Sequence, residues 1–253
     1  MPTESLLIGY YSDYYRNSSV KVAFDQPERF ANHLLSLAGE YLQRDSIAVL
    51  DFGGGDGGIA HLLARLLLKR KTSHVRVTLV DYRHGTSPQY SSQIAFERFD
   101  TLSEVGEKEF DLVLASAVLE HIPDARRELL RLLSFVRSGG LFYARTPASV
   151  PIGRIFRRLG LSYDFTYPAH VHDLGQIFWE RILPCLYDVD KPYELVLSRP
   201  SIVETVFRRR PFRTLAAHLC KALCYVPGSH WSIVGGWEVL IRRTALRRQV
   251  TLD

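Results

Sequence analysis

The sequence predicts an α/β domain with a mostly parallel sheet and helices on both faces. Three observations predict it. Apolar runs of strand length alternate with amphipathic segments from residue 46 to about 147. The first run passes through a glycine-rich loop into a helix, and later runs stop at polar residues, Asp81, Asp100 and Ser116. Strands covered on both faces read as near-continuous hydrophobic stretches, and crossover helices supply the cover. With 253 residues, 46% hydrophobic and 23% charged, the chain suits one such domain with decorations.

The elements follow in order. Residues 1 to 45 are expected to form an N-terminal helical lid or cap. Tyr10, Tyr11, Tyr14 and Tyr15 crowd its start, and Pro27 opens a helix whose Phe30, Leu34, Leu37 and Tyr41 recur at helical spacing. Ile47 to Leu50 reads as a buried strand, and Ile59 to Lys69 as the helix after the loop. Val75 to Val80 is a strand ending at Asp81, and Ile94 to Phe99 a strand ending at Asp100. Phe110 to Ala115 runs into Ser116-Ala117-Val118-Leu119-Glu120-His121-Ile122. Pro123 and Asp124 start a helix through about Val136, Ser138-Gly139-Gly140 turns the chain, and Leu141 to Pro147 is the next strand.

Beyond Pro147 the pattern loosens, and residues 147 to 235 are expected to form a substrate-cap insertion. Leu174 to Ile182 reads as a helix, and Gly236 to Arg242 as a late antiparallel strand with Tyr193 to Ser198 as its hairpin-side neighbour. Phe212 to Val226 reads as an amphipathic helix entered through Arg208, Arg209, Arg210 and Arg213. A cap packed on the sheet and peripheral membrane contact through residues 208 to 226 both fit that stripe.

Charge sharpens the contrast. The net charge is +5, and from Lys191 onward lysine and arginine outnumber aspartate and glutamate by eleven to four. A basic end of this kind meets phosphates, an anionic membrane surface or nucleic acid, or is simply solvated. Cys185, Cys220 and Cys224 form no paired framework, and no run is long enough to span a bilayer. A cytoplasmic location, possible peripheral membrane contact included, is the expectation.

Chemistry concentrates in Val49-Leu50-Asp51-Phe52-Gly53-Gly54-Gly55-Asp56-Gly57-Gly58. Gly53, Gly55 and Gly58 satisfy the G-x-G-x-x-G dinucleotide pattern, while Asp51, Gly53, Gly55 and Gly57 satisfy D-x-G-x-G-x-G. Asp51 separates the two, because a carboxylate there repels a pyrophosphate but suits a ligand carrying an ammonium and a sulfonium. The loop, the acids that follow it and the segment Val118-Leu119-Glu120-His121-Ile122 resemble the class I S-adenosylmethionine-dependent methyltransferases of small-molecule type, over about residues 46 to 146.

The resemblance implies a Rossmann-like fold with a seven-stranded sheet and a late antiparallel edge strand. It implies S-adenosyl-L-methionine as cofactor. Asp51 is then expected near the methionine amino group, with Gly53, Gly54 and Gly55 allowing close approach. Asp81 is expected at the ribose hydroxyls, Tyr82 on the adenine face, Asp100 and Thr101 at the adenine amino group, and Ser116 where the fourth strand opens toward the donor.

For the base, His121, His170 and His172 are candidates, with Asp173 placed to orient one ring. The His170-x-His172-Asp173 spacing is thin as a metal signature, and no metal is expected. The favoured acceptor is a sugar or other hydroxylated metabolite, on a nucleotide or lipid carrier, O-methylated in a polysaccharide or natural-product pathway. Rival readings are an N-methyltransferase on a small amine or nucleic acid, an NAD-dependent oxidoreductase, and a non-catalytic S-adenosylmethionine-binding protein. The sequence holds no Asn/Asp-Pro-Pro-Tyr/Phe segment, which speaks against nucleic acid.

Overall fold

The computed structural model describes residues 26–81, 91–161, 170–186, 193–227 and 231–244. Tyr82, the N-terminal tyrosines and the first 25 residues of the expected lid lie outside them. Seven strands form one sheet in the order β3-β2-β1-β4-β5-β7-β6. They are β1 (Ser46–Phe52), β2 (His74–Val80), β3 (Ile94–Phe99), β4 (Phe110–Ser116), β5 (Val136–Ala148), β6 (Tyr193–Pro200) and β7 (Gly235–Arg243). Pairing is parallel from β3 to β5. β7 is antiparallel to both β5 and β6, one place in from the rim.

Alternation along the central strands fills both faces. Val49, Val77, Leu112 and Tyr143 pack on one side with helices α1 (Pro27–Ala38) and α2 (Gly58–Leu68). Leu50, Val113, Phe142 and Val239 pack on the other with α3 (Ala125–Ser134) and α5 (Gln176–Leu186). Helix α1 forms as its sequence demands, with Pro27 in the first turn and Phe30, Ala31, Leu34 and Ala38 on one buried stripe. In α3 the Asp124 side chain accepts the Arg127 N–H at 3.0 Å, and Leu129, Leu132 and Leu133 face the sheet. Trp179 anchors α5: it is fully buried, and its Nε1–H donates to Thr146 Oγ1 at 3.1 Å.

Three details depart from the pattern reading. The helix after Asp124 ends at Ser134, because Val136 is needed opposite Phe110 in the sheet. Ser138-Gly139-Gly140 lies within β5, where the ladder slips register between Phe110 and Leu112 and Gly139 takes a φ of 78°. A helix, α4 (Val150–Arg158), follows β5; none of its residues is fully buried, and its apolar face, Ile152 and Phe156, is half-buried. The remaining helix, α6 (Pro211–Ala222), continues as a 3₁₀ turn, Leu223–Tyr225. Among the described residues no helix is long and apolar enough to cross a membrane.

One buried carboxylate joins the two halves of the sheet. Glu238 on β7 has no exposed surface; His33 Nε2–H of α1, Tyr143 Oη–H of β5 and Arg199 Nε–H of β6 donate to it at 2.7, 2.9 and 2.8 Å. Burial pushes its pKa up, but the hydrogen bond and charge of His33, with donation from Arg199 and Tyr143, bring it below the ordinary glutamate value.

Candidate active site

The site sits where β1 and β4 lie side by side while their connections leave in opposite directions, the place where open α/β sheets leave a crevice. Asp51, Gly53, Gly54, Gly55, Asp81 and Ser116 line the cleft there. The glycine loop is pinned at both ends: Gly53 N–H donates to Val80 O at 2.8 Å, and Gly55 N–H to Asp81 Oδ2 at 2.8 Å. Two glycines are obligatory for distinct reasons. Gly53 has a φ of 71°, and a Cβ there would stand 2.6 Å from the Val118 side chain. A Cβ on Gly54 would lie 2.2 Å from Asp51 Oδ2. The bare loop therefore lets main chain lie against the Asp51 carboxylate.

Asp51 and Asp81 are both buried, at 4% and 7% exposure. Burial first, then the nearby charges of Asp81 and Asp56, push the Asp51 pKa up to about 7. A cationic group entering beside it relieves both causes, whereas a diphosphate adds to the second. The wall opposite is shaped by Ala117, the one described non-glycine residue at positive φ (57°), whose N–H donates to Arg145 O at 2.8 Å. This kink turns the chain out of β4 across the mouth of the cleft.

Beyond the kink the structure brings together residues far apart in sequence. The rings of His121 and His170 lie 4.9 Å apart, centroid to centroid. Val171 and His172 N–H groups donate to Glu120 O at 2.9 and 3.1 Å, clamping this segment onto the end of β4. Burial lowers the His170 pKa more than Asp173 raises it. Glu120 is 2% exposed, and burial raises its pKa to about 7 against the opposing effects of a backbone hydrogen bond and Arg145.

Other expected residues sit elsewhere. His172 Nε2–H donates to Pro123 O at 2.9 Å, which ties down a loop. The Asp173 carboxylate is taken up by the start of α4: it accepts Ser149 N–H at 2.7 Å, Ser149 Oγ–H at 3.0 Å, and Val150 N–H. It caps the preceding helix and makes no hydrogen bond to a histidine ring among the described residues. Asp100 and Thr101 are exposed at the end of β3; Asp100 N–H and Thr101 Oγ1–H both donate to the Glu104 carboxylate, at 3.2 and 3.0 Å. Neither lines the cleft among its described residues. The sequence reading used Glu120 only to mark a motif and passed over Arg145, which lines the cleft, pairs with Glu204 at 2.6 Å and lies 5.5 Å from the Phe30 ring. Glu120 was legible as a carboxylate adjoining a candidate base; Arg145 left no signal beyond its place in a strand.

The fold is that of the class I methyltransferases, with a cleft at its switch point. Residues 23–183, more than half of the chain, match the methyltransferase domain family, and the chain belongs to it. It is 26% identical over 148 residues to a ubiquinone biosynthesis O-methyltransferase of Methylobacterium nodulans, covering 56% of each chain. It is 27% identical over 120 residues to the protein of that name from a Chelativorans species, covering 47% of this chain and 45% of the relative. The chain thus spans about half the length of the curated relatives it matches.

Among solved structures, magnesium protoporphyrin IX methyltransferase from Synechocystis with bound SAH superposes with a TM-score of 0.52 at 13% identity, covering 94% of this chain and 95% of that one. The plantazolicin methyltransferase BpumL in complex with SAH gives 0.51 at 15% identity, covering 96% and 91%. At such identities the likeness is one of fold.

Proposed function

We propose that the protein transfers the methyl group of S-adenosylmethionine to a hydroxyl oxygen of a small metabolite, a sugar or comparable polyhydroxylated compound held on a nucleotide or lipid carrier. The observation that carries this reading is the Glu120–His121–His170 group, whose first member follows cleft-lining Ala117 by three residues. A hydroxyl must shed its proton as the O–C bond forms, and a positioned basic group contributes about 10²–10⁴-fold. The names of the curated relatives, both O-methyltransferases, agree with it.

The residues present fit the donor, since a cation suits two buried carboxylates and the side-chain-free loop, Gly53 to Gly55, lines the cleft beside them. When bound, the donor supplies an activated methyl on a sulfonium. Asp51 receives its ammonium, Asp81 faces its ribose hydroxyls while holding Gly55, and Ser116 and Ala117 form the rim between donor and acceptor. The protein's task is alignment, which in well-oriented systems is worth on the order of 7–11 kcal/mol.

The carrier side points to a lipid surface. Helix α6 exposes Phe212 (87%), Leu215, Leu219 and Leu223 beside Arg208, Arg209, Arg210 and Arg213. Helix α4 exposes Ile155 and is followed by exposed Leu159, next to Arg154, Arg157 and Arg158. Neither helix holds an acidic residue, and α4 starts two residues after Ala148, which pairs with Gly235 at the end of the sheet. Apolar side chains among arginines match an anionic bilayer interface.

The test is turnover with labelled donor against panels of hydroxylated and amine acceptors, with the methylated atom located by NMR. Methyl on oxygen is expected; methyl found only on nitrogen overturns the proposal.

A further inference from the structure

We infer that Glu120, His121 and His170 form a binding site for a divalent transition-metal ion, with open coordination positions toward the acceptor. The inference rests on the O-methyltransferase reading and deepens it, because it names the acceptor as one whose oxygen binds a cation.

The three side chains each offer a ligand atom, and these atoms all lie within 4.8 Å of one another. Ligands sharing one zinc-type ion at about 2.0–2.2 Å stand roughly 3.5 Å apart, so a contraction of about 1 Å closes the set. Two imidazole nitrogens with one carboxylate oxygen is the donor set of open catalytic sites, in which water or substrate completes the coordination.

A second observation points to a ligand. Glu120 is 2% exposed, and its Oε2 takes no hydrogen bond among the described residues. Buried carboxylate oxygens are ordinarily paired or bound to a cation. The scaffold is also prepared: the main-chain oxygen of Glu120 receives the N–H groups of Val171 and His172, which fixes His170 against His121, and His172 secures the loop through Pro123 O.

The chemistry follows. The acceptor hydroxyl binds the ion through oxygen and releases its proton to solvent through the open cleft. That oxygen then forms the O–C bond as the S–C bond breaks, and the electron pair stays on sulfur as the neutral thioether. An acceptor with two adjacent oxygens, a vicinal diol or catechol, fills two open positions and so presents one oxygen in a fixed direction. This geometry selects for such acceptors over isolated alcohols.

The experiment starts from full-length protein stripped with a chelator and titrated with Zn²⁺, Mn²⁺, Co²⁺ and Mg²⁺. Retained metal is measured by mass spectrometry, and the visible absorption of the Co²⁺ form reports nitrogen and oxygen ligands. One ion per chain is expected, held at least about a hundredfold more weakly in Glu120→Gln and His170→Ala. Calorimetric binding of S-adenosylhomocysteine is expected to persist in both variants, which shows that they are folded. If the wild-type protein holds no stoichiometric ion, or both variants hold it equally well, the inference is overturned. Metal bound by a protein that takes up no S-adenosylhomocysteine would sink the methyltransferase reading and leave the ion site standing.

Discussion

The strand ends of β1, β2 and β4, which line the cleft, and the helices beyond β5, none of whose described residues line it, are built on opposite terms. At the cleft, carboxylates and glycines are set by a parallel ladder: Asp51 pairs with Leu79 and Leu114 in register, and the Asp81 carboxylate accepts the Gly55 N–H. Beyond β5, α4 has no fully buried residue and α6 buries only Thr214. A common cofactor needs invariant geometry, which a sheet supplies; an individual acceptor needs a surface that can differ without disturbing the sheet.

Four measurements break or sharpen that contrast. The largest effect is expected from Glu238→Ala, which removes the acceptor of His33, Tyr143 and Arg199 and leaves their donors buried. Losing one partner of a buried network costs about 3–5 kcal/mol, read as a lower denaturation midpoint. An effect confined to the acceptor side would show that the halves are less joined than Glu238 implies.

Next comes Asp51→Asn. Truncating one side of a buried charge pair costs about 2–5 kcal/mol, so donor affinity should fall at least about thirtyfold in calorimetry. The ligand-free variant should melt higher than wild type, because the buried carboxylate of Asp51 is strained toward its neutral form. Unchanged affinity would move the ammonium elsewhere.

Third, the Asp51 pKa of about 7 gives donor binding a pH dependence. Below that value the carboxyl must lose its proton before it can pair, so affinity falls about tenfold per pH unit and is level above. The sign for folding is opposite. Between the ordinary 3.8 and about 7 the folded chain holds a proton that the unfolded chain has lost, so this group's contribution to ligand-free stability declines as pH rises. A flat binding profile would remove Asp51 from the site.

The smallest effect belongs to the exposed helices. Replacing Arg208, Arg209 and Arg210 with glutamine should weaken sedimentation with anionic vesicles by about 1 kcal/mol per charge and leave turnover of a soluble acceptor unchanged. Equal binding to neutral and anionic vesicles, or none to either, would count against a lipid-facing surface.

The donor side was legible because its chemistry and its secondary structure share one local signal. Asp51 and the glycines that follow sit within a few residues, and Asp81 and Ser116 stand where apolar runs stop. The Glu120–His121–His170 cluster was half legible. His121 and His170 were both singled out, yet their approach depends on main-chain hydrogen bonds from Val171 and His172 to Glu120, and periodicity carries no trace of those. Asp173 misled for a related reason: a carboxylate beside histidines has the same spelling as one that caps α4. Helix α4 escaped because it is only nine residues long and carries Pro151 and Gly153 in its first turns, residues that read as loop.

The place of β7 between β5 and β6 has a consequence for biogenesis. During synthesis β6 leaves the ribosome before the strand that must separate it from β5, so it has no neighbour to join until Gly235–Arg243 emerges. Through that interval the nascent chain carries an open flank on β5, the kind of edge that invites pairing with a stranger. Insertion of one late strand then seals the flank and buries Glu238 among its donors in a single event, so any translational pause before residue 235 should lengthen the chain's dependence on chaperones.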